Sequence, residues 1–336
     1  MLRRLASSRH RPWSLAAVPV VLALALLAAS CGPGPTNSFT YSGIAQQPHS
    51  VTEAQGEVVG GKLYSFGGFD STKPCCTPTD RAYTYTPGSG WTALRNMPTK
   101  GVTHAGTTTD GTNVFYAGGY IANAAWTGQI FGTTAVWRYN VGSDTSTALP
   151  GLPLERAGGQ LEHLTGWLHY FGGTNKARTL DVTDHWALQL SNTGAGWKPR
   201  APLSNGRHHM GSAVLNGRIF AIGGQHHHDA NLMTQGTVEE YDPAANTWRT
   251  RASIPKPRGH ISSTTFVLSG RIVVAGGETS HGTRIADVNA YDPGSNSWAS
   301  LTPLPSTKAS GVGGPLGDGF LYTGGGWRGG WRATPA

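Results

Sequence analysis

Apolar residues recur along this chain on two scales. Locally they run for four to six positions, mixed with single polar residues. Over the whole length those runs return about every fifty residues. LYSFGG, NVFYAGG, LHYFGG, IFAIGG, IVVAGG and FLYTGG are one phrase written six times, with first glycines at Gly67, Gly118, Gly172, Gly223, Gly276 and Gly324. Short apolar runs rich in β-branched and aromatic residues, each closed by glycine, predict strands. Turn pairs precede them, as in Asp110-Gly111, Thr165-Gly166, Asn216-Gly217, Ser269-Gly270 and Asp318-Gly319. Such pairs tolerate positive φ and so predict hairpins.

A variable loop follows each glycine pair, then a third strand ending at Tyr85, Tyr139, Leu190, Tyr241 or Tyr291. A turn leads to a fourth strand marked by Trp91, Trp197, Trp248 or Trp298, with Ser146 in that place in the second unit. Each unit therefore predicts four short antiparallel strands. Repetition at this period means one supersecondary unit copied around a closed or stacked architecture. The aromatic residues are read as packing between copies.

Glycine pair, tyrosine and tryptophan at this spacing resemble the kelch repeat, over nearly all of the chain that follows the leader. The resemblance implies an all-β, six-bladed kelch-type β-propeller over residues 39–336. The sixth unit is short, with only GWRGGWRATPA after Gly325. Tyr41–Pro48 matches Trp91–Pro98 position for position from aromatic to proline. The last blade is therefore expected to be closed by the N-terminal strand, leaving no free sheet edge. Its third strand is expected at 331–334.

The polar face of the chain changes the picture at the N-terminus. Arg3, Arg4, Arg9 and Arg11 precede an apolar run from Trp13 to Ala29. This reads as a signal peptide over residues 1–30. Ala28-Ala29-Ser30-Cys31 resembles the bacterial lipobox, which implies a lipid on Cys31 and a flexible tether over 31–38. The expected address is a bacterial membrane, periplasmic or cell-surface, reached by a monomer through its N-terminal lipid. The leader holds four arginines and no acids, so the formal net charge falls from +8 to +4 on its removal. Nothing in that balance calls for nucleic acid. Cys75 and Cys76 are adjacent, with a vicinal disulfide, free thiols, a metal pair and an intermolecular link all open.

Candidate chemistry gathers where the fourth strand of one unit leads to the first of the next. These connections and the loops after the glycine pairs leave a four-stranded blade on one face, at the mouth of the central channel. Arg156, Arg207, Arg258 and Lys308 recur three positions after Pro153, Ser204, Pro255 and Pro305. Cations at one mouth predict an anionic ligand, with His209 and His260 beside them. In the fourth unit His208, His226 and His228 crowd one corner and are candidate ligands for a transition metal. Glu53, Glu155, Glu162 and Glu278 are candidate acid–base groups. The sequence holds no G-x-S-x-G elbow, no H-E-x-x-H and no phosphate loop.

Three functions are weighed. First is a membrane-anchored extracytoplasmic module binding an anionic small molecule, glycan or protein. Second is a sugar-active enzyme resembling the exported sialic-acid mutarotases. A copper-radical oxidase ranks a distant third, since it would need a Tyr–Cys crosslink.

Overall fold

The computed structural model describes residues 36–336; the expected leader, Cys31 and most of the tether lie outside the described residues. The chain divides into Met1–Gly34 and one compact unit, Pro35–Ala336, which holds all the blades.

Six four-stranded antiparallel sheets form the blades of a propeller. The fourth is typical, with Gly211–Leu215, Arg218–Ile222, Val238–Asp242 and Thr247–Arg251 in order from the axis outward. Innermost strands of neighbouring blades, such as Gln160–Leu164 and Gly211–Leu215, contact one another around the channel. The core lies between blades, where Phe220, Ile222, Ile272 and Tyr291 pack as one apolar cluster.

The last blade closes as the sequence predicts. Phe39–Gly43 pairs with Gly330–Pro335, Tyr41 opposite Ala333, and supplies the outermost strand. Phe39 packs edge-on against Phe320 at 5.5 Å between ring centroids.

The repeated aromatics join the blades. The indole N–H of Trp91, Trp197, Trp248 and Trp298 donates to the carbonyl of Ala45, Pro150, Ala201 and Ala252, each on the preceding blade, at 2.8–2.9 Å. Tyr41 takes the tryptophan's place in the last blade, its hydroxyl reaching the Thr302 carbonyl at 2.8 Å. The glycine pairs serve the same seam. A Cβ on Gly67 would sit 1.9 Å from the Val102 carbonyl oxygen, and the Gly68 N–H donates to that oxygen at 2.8 Å. Only a residue without a side chain allows that approach.

Candidate functional site: the propeller mouth

One residue per blade turns the chain from its outer strand into the channel wall. These are Glu53, His104, Gly158, His209, His260 and Ser310, all with φ between 53 and 68°. Backbone hydrogen bonds link them around the axis. Gly158 donates to His104, His209 to Gly158, Ser310 to His260 and Glu53 to Ser310, at 2.8–3.0 Å. Of the two remaining steps, the Thr103 hydroxyl bridges blade two to the Glu53 carbonyl at 2.8 Å, and the Ile261 N–H lies 3.5 Å from the His209 carbonyl. Left-handed backbone is costly for residues other than glycine. Its recurrence in every blade makes the conformation part of the joint, and the side chains placed there line the axis.

Those side chains converge. Glu53 pairs through one carboxylate oxygen with His104 Nε2 and through the other with His260 Nε2 at 3.3 Å. His260 Nδ1 lies 2.8 Å from Glu278. His209 packs against both His104 and His260, at 4.6 and 4.4 Å between ring centroids. Burial alone would raise the Glu53 carboxyl, but His104 and His260 outweigh it and hold it well below the usual carboxylate range. Burial lowers His260, yet Glu278 and Glu53 bring it up to about 9. His209 has no such carboxylate; burial, then the neighbouring imidazoles, push it well down.

Above this floor opens a cavity of about 350 Å³. Phe69, Tyr120, Gln129 and Gln225 line it, with Arg178, His228 and Arg284 on its walls. Arg178 pairs with Asp229 at 3.1 Å. Arg284 is exposed and forms no ion pair among the described residues, only a 3.3 Å hydrogen bond to the Gly325 carbonyl.

His209 and His260 thus stand where the sequence places them. The expected ring of mouth cations does not form. Arg207 is fully buried and pairs with Glu239 inside its own blade. Arg258 is equally buried and bonds Asn289 at 2.8 Å. Arg156 pairs with Asp184 at 2.5 Å. Lys308 lies over the ring of Trp327 at 4.7 Å. The fixed offset has a different cause. Carbonyls of Arg156, Arg207, Arg258 and Lys308 accept the N–H of Gly119, Gly173, Gly224 and Gly277 on the preceding blade. The repeated position is a seam position, and a buried guanidinium must find its partner nearby.

The blade-four histidines meet in part. Donor atoms of Asp181, His208 and His228 lie within 4.8 Å of one another. His226 stands apart from that trio, with Nδ1 3.7 Å from Asp181. Burial brings His208 down to about 3 and His228 to about 4. Asp181 comes from the loop after the glycine pair of blade three, and sequence reasoning did not bring it here. His104 was missed as well. Its signal was in the chain: it stands two residues after Val102, as His209 stands two after Arg207 and His260 two after Arg258. Cys75 and Cys76 are joined as a vicinal disulfide, and Cys76 lines the mouth cavity. Among the described residues this leaves no thiol for a Tyr–Cys crosslink, so the oxidase reading loses its centre.

Among the candidate acids, Glu155 is on the surface with Lys176 at 3.0 Å. Glu162 lies deeper in the channel, where burial raises its carboxyl to about 7. Only Glu53 and Glu278 reach the mouth floor.

A six-bladed propeller with a polar pocket on its axis is the class these features define. The kelch motif model matches residues 206–255 and 262–305. The Kelch-like protein terF of Aspergillus terreus is 27% identical over 253 residues, covering 74% of this chain and 54% of that protein. Human Kelch-like protein 33 is 29% identical over 170 residues, covering 51% of this chain and 27% of its own length. The chain therefore spans about half or less of these relatives. A solved structure titled "Structure of YjhT" superposes with a TM-score of 0.67, over 86% of this chain and 95% of that one, at 16% identity. That likeness concerns the fold. These matches support kelch repeats in this chain, most directly over residues 206–255 and 262–305.

Proposed function

We propose that this chain is an exported propeller, anchored through a lipid on Cys31, whose mouth binds a small polyhydroxylated anion such as a sugar acid or the acidic end of a glycan. The observation that carries the reading is the axial cavity of about 350 Å³ with the unpaired Arg284 in its wall. A ligand carboxylate meets Arg284 and the Arg178 guanidinium, gaining charge-assisted hydrogen bonds. Ligand hydroxyls meet Gln129, Gln225 and Ser310, and Phe69 and Tyr120 offer faces for the apolar side of a sugar ring. Large hydrophobics exposed among the described residues, Ile130, Leu154, Leu180 and Met233, all lie on the connections of this same face, Ile130 and Met233 within two-residue strands there. They suit contact with whatever carries the acidic group.

A second reading has its own observation. Glu53, His104, His260 and Glu278 form acid–base pairs on the floor of the pocket. Interconversion of sugar anomers needs one proton removed from the anomeric hydroxyl and one delivered to the ring oxygen as the C–O bond opens. Paired groups of this kind can serve both ends. This supports a mutarotase-like activity on the bound sugar.

One protein tests the reading. Cys31→Ala should move the chain from the membrane to the soluble fraction, and that soluble chain is titrated with uronic and sialic acids and their neutral counterparts. Acidic sugars should bind, more weakly at high salt, and Arg284→Gln should weaken them about tenfold, the loss expected when a charge-assisted bond is removed. Neutral sugars binding as well as acidic ones, or an indifferent Arg284→Gln, would sink the anionic ligand. Unchanged fractionation would sink the anchor. Anomer exchange followed by NMR on the same samples, at the uncatalysed rate, would leave binding alone.

A further inference from the structure

We propose that Glu53, His209 and His260 form a divalent transition-metal site on the propeller axis, with His104 holding Glu53 from the side. It stands independently of which ligand fills the pocket above.

Blades one, four and five contribute the set, blade two adds His104, and each imidazole is held from behind. The Thr103 hydroxyl has one proton, and it donates that to the Glu53 carbonyl at 2.8 Å. It must therefore accept from His104 Nδ1–H, 3.0 Å away. His104 Nε2, the opposite nitrogen, faces a carboxylate oxygen of Glu53. His208 Nε2–H donates to the His227 carbonyl at 2.8 Å. His208 Nδ1, its other nitrogen, contacts His209 Nδ1 and accepts the hydrogen bond from His209 Nδ1–H. His209 Nε2 is left bare in turn. His260 turns Nδ1 to Glu278 and Nε2 to Glu53.

A cation has to lie between these nitrogens and the Glu53 carboxylate: a proton in the metal-free chain, as on His260, or a divalent ion in its place when the site is loaded. Glu53 Oε2 is buried and makes no hydrogen bond of proper geometry, although His104 is in contact. Donor atoms of Glu53, His209 and His260 lie within 4.8 Å of one another. That is close to the span of two donors on opposite sides of one ion, with bonds of about 2.0–2.2 Å. Metal-binding histidines are characteristically fixed through their second nitrogen by a hydroxyl, carbonyl or carboxylate. Thr103, His208 and Glu278 occupy those places. Imidazole-rich donors with one carboxylate suit zinc, iron, copper or nickel over magnesium and calcium, which take oxygen ligands. The pocket above leaves an open coordination position for a ligand oxygen.

The test uses the full chain, untagged, purified in detergent and stripped with a chelator. Cobalt(II) is the probe, because its visible d–d absorption reports coordination by nitrogen and oxygen. One equivalent should bind, be displaced by zinc(II), and raise the melting temperature. Glu53→Gln should weaken cobalt binding by at least about tenfold. Thr103→Val, which touches no ion, should weaken it by about 10–100-fold through the freed His104 ring. His228→Gln should leave it unchanged. No cobalt spectrum and no rise in melting temperature from a folded wild-type chain would overturn the proposal. So would loss of the site in His228→Gln with Glu53→Gln intact, since the ion would then lie at Asp181, His208 and His228. Should Glu53→Gln fail to fold, Thr103→Val and the wild-type melting shift decide.

Discussion

Buried histidines in this chain differ by what faces them. His260 has two carboxylates and carries its charge, whereas His169 and His185 have only each other. His169 Nδ1 lies 2.9 Å from His185 Nε2, and His185 Nδ1 lies 3.0 Å from the Ala201 carbonyl. The carbonyl requires a proton on His185 Nδ1, so His169 donates to His185 and both rings stay neutral. Burial brings His169 down to about 4, with Arg200 adding to it; burial and then His169 bring His185 to about 3. Unfolded histidines titrate near 6.5, so on acidification the unfolded chain takes up protons first. Stability should therefore fall as pH drops from about 6.5 toward 4. His169→Asn keeps a donor for His185 and removes one titrating ring. Its stability curve over that window should be shallower than wild type by up to about 1.4 kcal/mol per pH unit, one proton's worth. Parallel curves from denaturant unfolding at several pH values would contradict neutral burial.

Blades are joined by parts that the repeat makes visible and by parts that it does not. The tryptophans and glycine pairs stand out in the sequence because few residues can perform their tasks. An indole spans two blades and still donates a hydrogen bond. A glycine lets a carbonyl approach where a Cβ would collide. The Tyr41 match to Trp91 was legible for the same reason, and the structure gives both the same kind of carbonyl partner. The arginines misled because a fixed offset in a repeat records a backbone duty as readily as a side-chain one. Arg207 repeats for its carbonyl, and its guanidinium is absorbed by Glu239, thirty-two residues on. Closure of the last blade can be graded. Phe39→Ala empties an edge-on contact with Phe320 and should cost about 3–5 kcal/mol. Tyr41→Phe removes one hydrogen bond and should cost about 1 kcal/mol. Unfolding midpoints that ignore both changes would mean that Phe39–Gly43 does not hold the blade shut.

At the scale of the whole molecule, a six-fold backbone carries an asymmetric set of side chains. The same left-handed position holds glutamate, histidine, glycine, histidine, histidine and serine around the mouth. Symmetric geometry concentrates them on one axis, and their differing chemistry gives the pocket its character. That convergence was not legible in the sequence, because it depends on six loops meeting within a few ångströms. His209 and His260 were found through their neighbours and Glu53 as a candidate acid; His104 was not, because one more residue separates it from Pro98 than separates its counterparts from theirs.

Hydrogen exchange on the chain, with and without the tightest-binding sugar acid of the titration, tests most directly whether this mouth is the ligand site. Exchange should slow at backbone amides within 51–54, 103–105, 208–210, 259–261 and 309–311, with the opposite-face turns at 87–90, 243–247 and 293–297 unaffected. Protection confined to those opposite turns, or spread evenly over both faces, would contradict a ligand site at the mouth.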